Sequence, residues 1–173
     1  QVVTDLEHAV TSLPLSSAWG RPNSYAAAAL LSRMYFLNQD YAQAKEWAML
    51  VINSTAYSLE SDVNSLFKNL NDVNNETIFA ITRSANNLGN INEDLLPPSL
   101  GGSGNYTIPS SFLTNFDTLD RRLEVFLTEE DDRYYVTKFW DEINESDGGT
   151  TSVDFPIIRF ADILLMYAEC ENE

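Results

Sequence analysis

The segment that most constrains the fold is Ala26-Ala27-Ala28-Ala29-Leu30-Leu31, which has chain punctuation on both sides. Alanine loses no side-chain entropy in a helix and leucine loses little, so helical backbone has few competitors here. Pro22, Asn23 and Ser24 supply first-turn and capping residues before the run, which continues to Leu37 and halts at Asn38-Gln39. Asp40 with Gln43 three residues later has the form of a capping box. Ala44, Trp47, Ala48, Val51 and Ile52 then recur at helical spacing. A break this short between two helices predicts an antiparallel hairpin.

The rest of the chain reads as one more helix at each end and loops with short strands between. Val3, Leu6, Val10 and Leu13 form a stripe closed by Pro14, which predicts a first amphipathic helix. Residues 54–75 read as loop with one helical turn, and the β-branched, aromatic Glu76–Thr82 as a short strand. A long polar loop follows from Ser84 to Ile108, broken by Pro97-Pro98 and Gly101-Gly102-Ser103-Gly104. Pro109-Ser110-Ser111 opens a short helix with Phe112, Leu113 and Phe116 inward. Leu123–Leu127 and Tyr134–Trp140, separated by the acidic Thr128–Arg133, predict a β-hairpin. A further loop, Asp141–Asp154, leads through Pro156 into a last helix with Phe160, Ile163, Leu164, Tyr167 and Ala168 buried. The fold class is therefore mainly α with long loops. The 173 residues read as a single, incomplete domain, in which 1–53 is expected to be a helical repeat region, 54–155 a loop-rich region with short strands that would bind ligand, and 156–173 a return to the helical scaffold.

Charge and composition exclude several functions. The 173 residues carry 10 Lys+Arg against 26 Asp+Glu, a net charge of -16, with 44% hydrophobic residues. That apolar content suffices for a core. The acidity repels phosphate backbones and anionic lipid, so nucleic acid is not a partner. Cys170 is the single cysteine and cannot close an intrachain disulfide. No apolar stretch approaches the roughly 20 residues of a membrane helix.

The hairpin resembles a tetratricopeptide repeat, with Leu31, Tyr35 and Ala44 on that repeat's positions and Ser32 where it usually has glycine. A wider resemblance runs through most of the chain. Leu13-Pro14 after Asp5–Ala9, Gly20-Arg21-Pro22 before Ala29–Phe36, Asp40-Tyr41-Ala42-Gln43-Ala44, Asn75–Phe79 and Asp120-Arg121-Arg122 occur in the order of the SusD/RagB family. The most specific segment is Pro156-Ile157-Ile158-Arg159-Phe160-Ala161-Asp162-Ile163-Leu164-Leu165-Met166-Tyr167-Ala168-Glu169. By this resemblance the chain is the central part of a nutrient-binding lipoprotein of the bacterial outer surface. It implies capture of a glycan or oligosaccharide for a TonB-dependent outer-membrane transporter of the SusC type. Membrane contact is then expected only through a lipid anchor outside this chain, on the extracellular face of the outer membrane.

Enzymatic chemistry has little foundation in these residues. His8 is the sole histidine and lies on the polar flank of the first helix, so a Ser-His-Asp triad or a zinc site would have to be built around this one residue, and a solvent-exposed histidine is the better reading. Glu129-Glu130-Asp131-Asp132 and the acidic residues before Gly148-Gly149 lack the ligand spacing of a calcium loop, and no metal or cofactor is implied. Arg159 and Asp162 fit capping and a local ion pair. Sugar binding instead needs a flat aromatic face with amides or carboxylates beside it. The Ser84–Ile108 loop offers Asn86, Asn87, Asn90, Asn92 and Asn105 with Tyr106, and Trp19 offers a second platform. Tyr106, Asn105, Asn86, Asn87 and Trp19 are accordingly the candidate ligand contacts. For this loop the alternative is that the asparagines serve turns and Tyr106 packs on the domain. A protein-binding repeat scaffold without sugar, and a glycoside hydrolase, stay open as other functions.

Overall fold

The computed structural model describes residues 1–67, 73–83, 90–117, 119–140 and 151–173. It is mainly helical and divides into two compact units. The first comprises Gln1–Ser61, Val73–Thr82 and Pro156–Glu173, and the second Asp62–Asp72 and Arg83–Phe155.

The first unit is built on α1 (Val2–Ser12), α2 (Ser24–Leu37), α3 (Tyr41–Asn53) and α6 (Phe160–Cys170). Helix α2 begins where the Asn23 side chain accepts the Ala26 N–H at 2.8 Å. It ends in a left-handed cap: Gln39 has φ 61°, its N–H reaches Phe36 O, and the Asp40 N–H reaches Tyr35 O at 3.0 Å. Those two bonds satisfy carbonyls that the helix end leaves open. Asp40 then caps α3 through the Gln43 N–H at 3.2 Å. Only this half of the expected capping box forms, because the Asp40 N–H that the Gln43 side chain would accept is already given to Tyr35 O, and the Gln43 amide donates to Glu46.

Small residues bring α2 and α3 together. Ala28, Ala29, Leu31, Ser32, Ala44, Ala48 and Val51 are all fully buried. Ser32 stands at the crossing, and its hydroxyl donates to Ala44 O at 2.8 Å, so this polar group is buried with a partner. Ile78, Ile158 and Ile163 complete the core, with Val10, Trp47, Met166 and Tyr167 against its edge. Helix α6 buries Ile163 and Cys170, whereas Ala168 is exposed. Met166 takes the inward place that the spacing gave to Ala168, because α6 packs on α3 along a rotated stripe. Leu165 remains 70% exposed.

A strand absent from the sequence reading enters α6. β1 (Thr77–Ile81) pairs with β4 (Phe155–Arg159), so Pro156 opens an edge strand of a two-stranded sheet where a helix entry was expected. Proline is tolerated in such an edge strand, where one side of the backbone has no ladder partner to supply. Arg159 does not merely serve the helix start. Asp162 accepts its backbone N–H at 3.0 Å, while its guanidinium reaches Glu76, 83 residues away, at 2.8 Å. The Glu76 side chain is only 4% exposed and also accepts the Glu60 N–H at 2.9 Å.

The second unit contains α4 (Ser110–Leu113), α5 (Arg122–Phe126) and the hairpin of β2 (Leu127–Glu130) and β3 (Arg133–Val136). The expected first strand over Leu123–Leu127 is helical as far as Phe126. The turn is just Asp131-Asp132, with φ 51° and 58° and Glu130 opposite Arg133. Both residues occupy the left-handed region that two-residue hairpin loops require, and aspartate adopts it more readily than most side chains. β3 ends at Val136, so Trp140 stands outside the hairpin. Phe112 is 47% exposed rather than inward. Phe67 packs edge-on against Phe126 and Phe139, and Phe139 meets Phe155, while the Lys138 ammonium sits 4.0 Å from the Phe67 ring centre.

Two stability outcomes follow from the first unit. Ser32→Leu overpacks the helix crossing and should cost about 2–3 kcal/mol, against about 1 kcal/mol for Ser32→Ala, as read by urea unfolding. Arg159→Ala strands the Glu76 carboxylate and should cost about 3 kcal/mol, with the Glu76→Gln/Arg159→Met double variant recovering a large part.

Candidate functional site

The stretch from residue 90 to Ile108 doubles back on itself rather than meandering. Leu95 and Leu96 N–H groups close a turn on Asn92 O, and a single 3-10 turn at Pro98–Leu100 reverses the chain. The return leg is pinned by Ser103 N–H to Glu93 O at 2.6 Å, Gly104 N–H to Leu96 O at 3.0 Å and Tyr106 N–H to Asp94 O at 3.0 Å. Ile108 then bridges to Tyr134 through its N–H at 2.8 Å, which anchors this loop to β3.

Glycine is required at two of these points. A Cβ on Gly102 would stand 2.2 Å from Leu96 O and 2.6 Å from Leu96 Cβ, so the reversal admits no side chain. Gly104 has φ 62°, in the left-handed region, and a Cβ there would press on Tyr135 and Pro98. Leu96 is 1% exposed beneath this turn, and the Asn92 amide donates to Phe139 O at 2.6 Å from a position 1% exposed.

The candidate residues separate on this scaffold. Asn105 and Tyr106 lie together at the end of the return leg. The Asn105 amide donates to Asp94 Oδ1 at 2.7 Å, and Tyr106 is 64% exposed. Tyr106 therefore does not pack on the domain, while Asn92 is committed to holding the loop. Asn86 and Asn87 lie outside the described residues. Trp19 belongs to the other unit, where it is half-buried and borders a crevice of about 150 Å³ with Tyr57 and Asn74.

The polar groups beside Trp19 are already engaged. Asn23 caps α2 and pairs with the Tyr57 hydroxyl at 3.0 Å, and Asn74 Oδ1 accepts the N–H groups of Glu76 and Thr77. The crevice is also smaller than the roughly 300–1,000 Å³ of ordinary ligand sites. The sequence reading passed over Asp94, the acidic partner of Asn105. Only the doubled-back path brings the two together, and no local pattern signals it.

The chemistry available at this corner is recognition. An exposed phenol ring, a primary amide and a carboxylate adjoin one another, which suits a flat apolar face edged with hydroxyl groups. Among the described residues no cluster of three or more His, Cys, Asp or Glu is arranged to hold a metal ion. His8 is exposed on α1.

Residues 124–173 match the model of the SusD family. No curated protein matches the chain in sequence. Among solved structures, a SusD superfamily protein from Parabacteroides distasonis is 23% identical, with a TM-score of 0.79 over 98% of this chain and 44% of its own. A SusD-like carbohydrate-binding protein from Bacteroides fragilis is 20% identical, with a TM-score of 0.80 over 99% of this chain and 45% of its own. A structure solved with xylogluco-oligosaccharide is 19% identical, with a TM-score of 0.81 over 97% of this chain and 43% of its own. The chain thus has a SusD-type fold, with residues 124–173 matching the SusD family model, and it spans less than half the length of these solved proteins.

Substituting Gly102 by Ala forces Leu96 and its turn apart. Hydrogen exchange at the Gly104 and Tyr106 amides should rise at least tenfold relative to the native chain, because the bonds that protect them depend on that close approach.

Proposed function

Taking the SusD-family segment and the SusD-type fold as premises, we propose that this chain belongs to a surface protein that captures an oligosaccharide for import and performs no catalysis. The observation that carries the reading is Tyr106, an aromatic side chain left 64% exposed at the end of a tightly pinned loop and next to the Asn105–Asp94 pair. Exposing such a ring to water forgoes its burial, and a pyranose face would recover it. The amide and the carboxylate provide donor and acceptor for ring hydroxyls without needing to move.

Similarity to a protein solved with xylogluco-oligosaccharide and to another described as carbohydrate-binding supports the ligand class. The partner in this reading is a TonB-dependent, SusC-like outer-membrane transporter, with the protein on the extracellular face of the outer membrane and held by a lipid anchor outside this chain. Asn86 and Asn87 are further contacts under this reading. The acidic surface favours neutral sugars over anionic ones.

A glycan array followed by calorimetry tests this. The chain should bind at least one neutral oligosaccharide, xylogluco-oligosaccharide being the first to try, and release no new reducing ends from it. Tyr106→Ala should weaken binding about tenfold while the melting temperature shifts by less than about 2 °C. Absence of binding to every glycan, with the transporter still co-purifying, would leave a protein-binding scaffold as the function.

A further inference from the structure

The second unit contains a concavity that the Tyr106 corner does not use. It measures about 450 Å³, within the usual size of ligand sites, and is lined by Asn64, Arg121, Glu124, Thr128, Thr137 and Trp140 over an apolar floor. These residues come from four places: the 3-10 turn at Val63–Leu66, the start of α5, strand β2 and the chain beyond β3. From the geometry we infer that this concavity is a second saccharide site, for a neutral pyranose unit. The inference rests on the carbohydrate-binding reading above.

Uncommitted hydrogen-bonding groups carry it. Asn64 Oδ1 is buried and makes no hydrogen bond to the described residues. A buried acceptor left unpaired costs about 1–3 kcal/mol, and a turn of the Asn64 amide toward the concavity would let a ligand hydroxyl relieve it. The side chains of Arg121, Glu124 and Thr128 likewise make no hydrogen bond or ion pair among the described residues. Arg121 and Glu124 are three residues apart, on neighbouring positions of one helical turn, and still do not pair with each other. By contrast Arg122 is engaged with Asp120, whose carboxyl is held down to about 2 by that guanidinium and by the Arg122 N–H.

Together the lining offers guanidinium donors, a carboxylate acceptor, an amide oxygen, the Thr128 hydroxyl and the ring face of Trp140. That set matches a sugar ring with vicinal hydroxyls on its edge and C–H groups on its face. Opposite charges on Arg121 and Glu124 leave the lining neutral. A uronic acid would meet Glu124 at close range within a chain of net charge -16, and is disfavoured. Trp140 is half-buried here and gives the site a spectroscopic reporter.

Calorimetry and tryptophan fluorescence on the full chain with cellohexaose, maltohexaose and xylohexaose test the site. At least one hexasaccharide should change the emission, and Trp140→Phe should remove that change. Arg121→Gln and Glu124→Gln should each weaken the same binding about tenfold, with the melting temperature held to within about 2 °C because both side chains are exposed and have no partner to lose among the described residues. Full affinity in the Arg121→Gln/Glu124→Gln double variant, with binding lost in Tyr106→Ala, would overturn this site and leave the carbohydrate reading standing. Binding of none of the three by the native chain would overturn both. Tighter binding of a hexagalacturonate than of any neutral hexasaccharide would overturn the assignment of a neutral ligand.

Discussion

The ion pair between Glu76 and Arg159 is the interaction on which the helical unit depends. It joins residues 83 apart in sequence, and the carboxylate is almost wholly buried. Burying a charge is unfavourable unless it is met by an opposite charge and further hydrogen bonds. Here Arg159 meets one oxygen, the Glu60 N–H meets the other, and the Glu76 carbonyl accepts the Phe160 N–H at 2.8 Å. The same few atoms therefore fix where β1 runs, where β4 returns, and where α6 begins. Arg33 extends the tie to α2 through Ile157 O at 3.0 Å and the Asp162 carboxylate at 3.7 Å. Apolar burial supplies the larger share of the energy, since Ile78, Ile158 and Ile163 vanish from solvent around this lattice, but burial is non-directional. The polar lattice sets register.

In the loop-bearing unit the governing constraint is steric. The chain can reverse between Leu96 and Gly104 only because Gly102 has no side chain where Leu96 lies. Once the legs are paired, Tyr106 and Asn105 have nowhere to go but outward, and Asp94 is carried to Asn105. The hairpin of β2 and β3 supports this corner through the bridge from Ile108 to Tyr134. Pinned backbone under an exposed aromatic suits the binding proposed for this corner, because the ordering cost would be met on folding rather than on ligand capture.

Legibility followed the range of the interactions involved. The α2–α3 hairpin could be read because its signals are local: alanine propensity, the Asn23 and Asp40 caps, and apolar spacing. Helix α6 could be read for the same reason, although its exact face could not, since Met166 and Ala168 differ by little more than half a turn and only packing on α3 chooses between them. Strand β4 was missed because Pro156 speaks locally for a turn or helix entry, while its strand character comes from β1. The hairpin was placed several residues off because Asp131-Asp132 lacks the glycine that usually marks a left-handed turn. Of the site residues, Tyr106 and Asn105 could be proposed from loop composition, whereas nothing local pointed to Asp94, Asn64 or Arg121.

The sequence by itself determined helices α1, α2, α3 and α6, the acidity of the chain, and the segment order that resembles the SusD/RagB family. These are properties of residues and near neighbours, fixed by propensity, capping and charge. Tertiary structure alone decided that Glu76 would meet Arg159, that Asn92 would be consumed inside while Tyr106 stayed outside, and that Asn64, Arg121, Glu124 and Trp140 would share one concavity. The physical reason is that partnership and exposure are set by the path of the chain through space. An asparagine in an open loop and one beneath a turn read alike until that path is known.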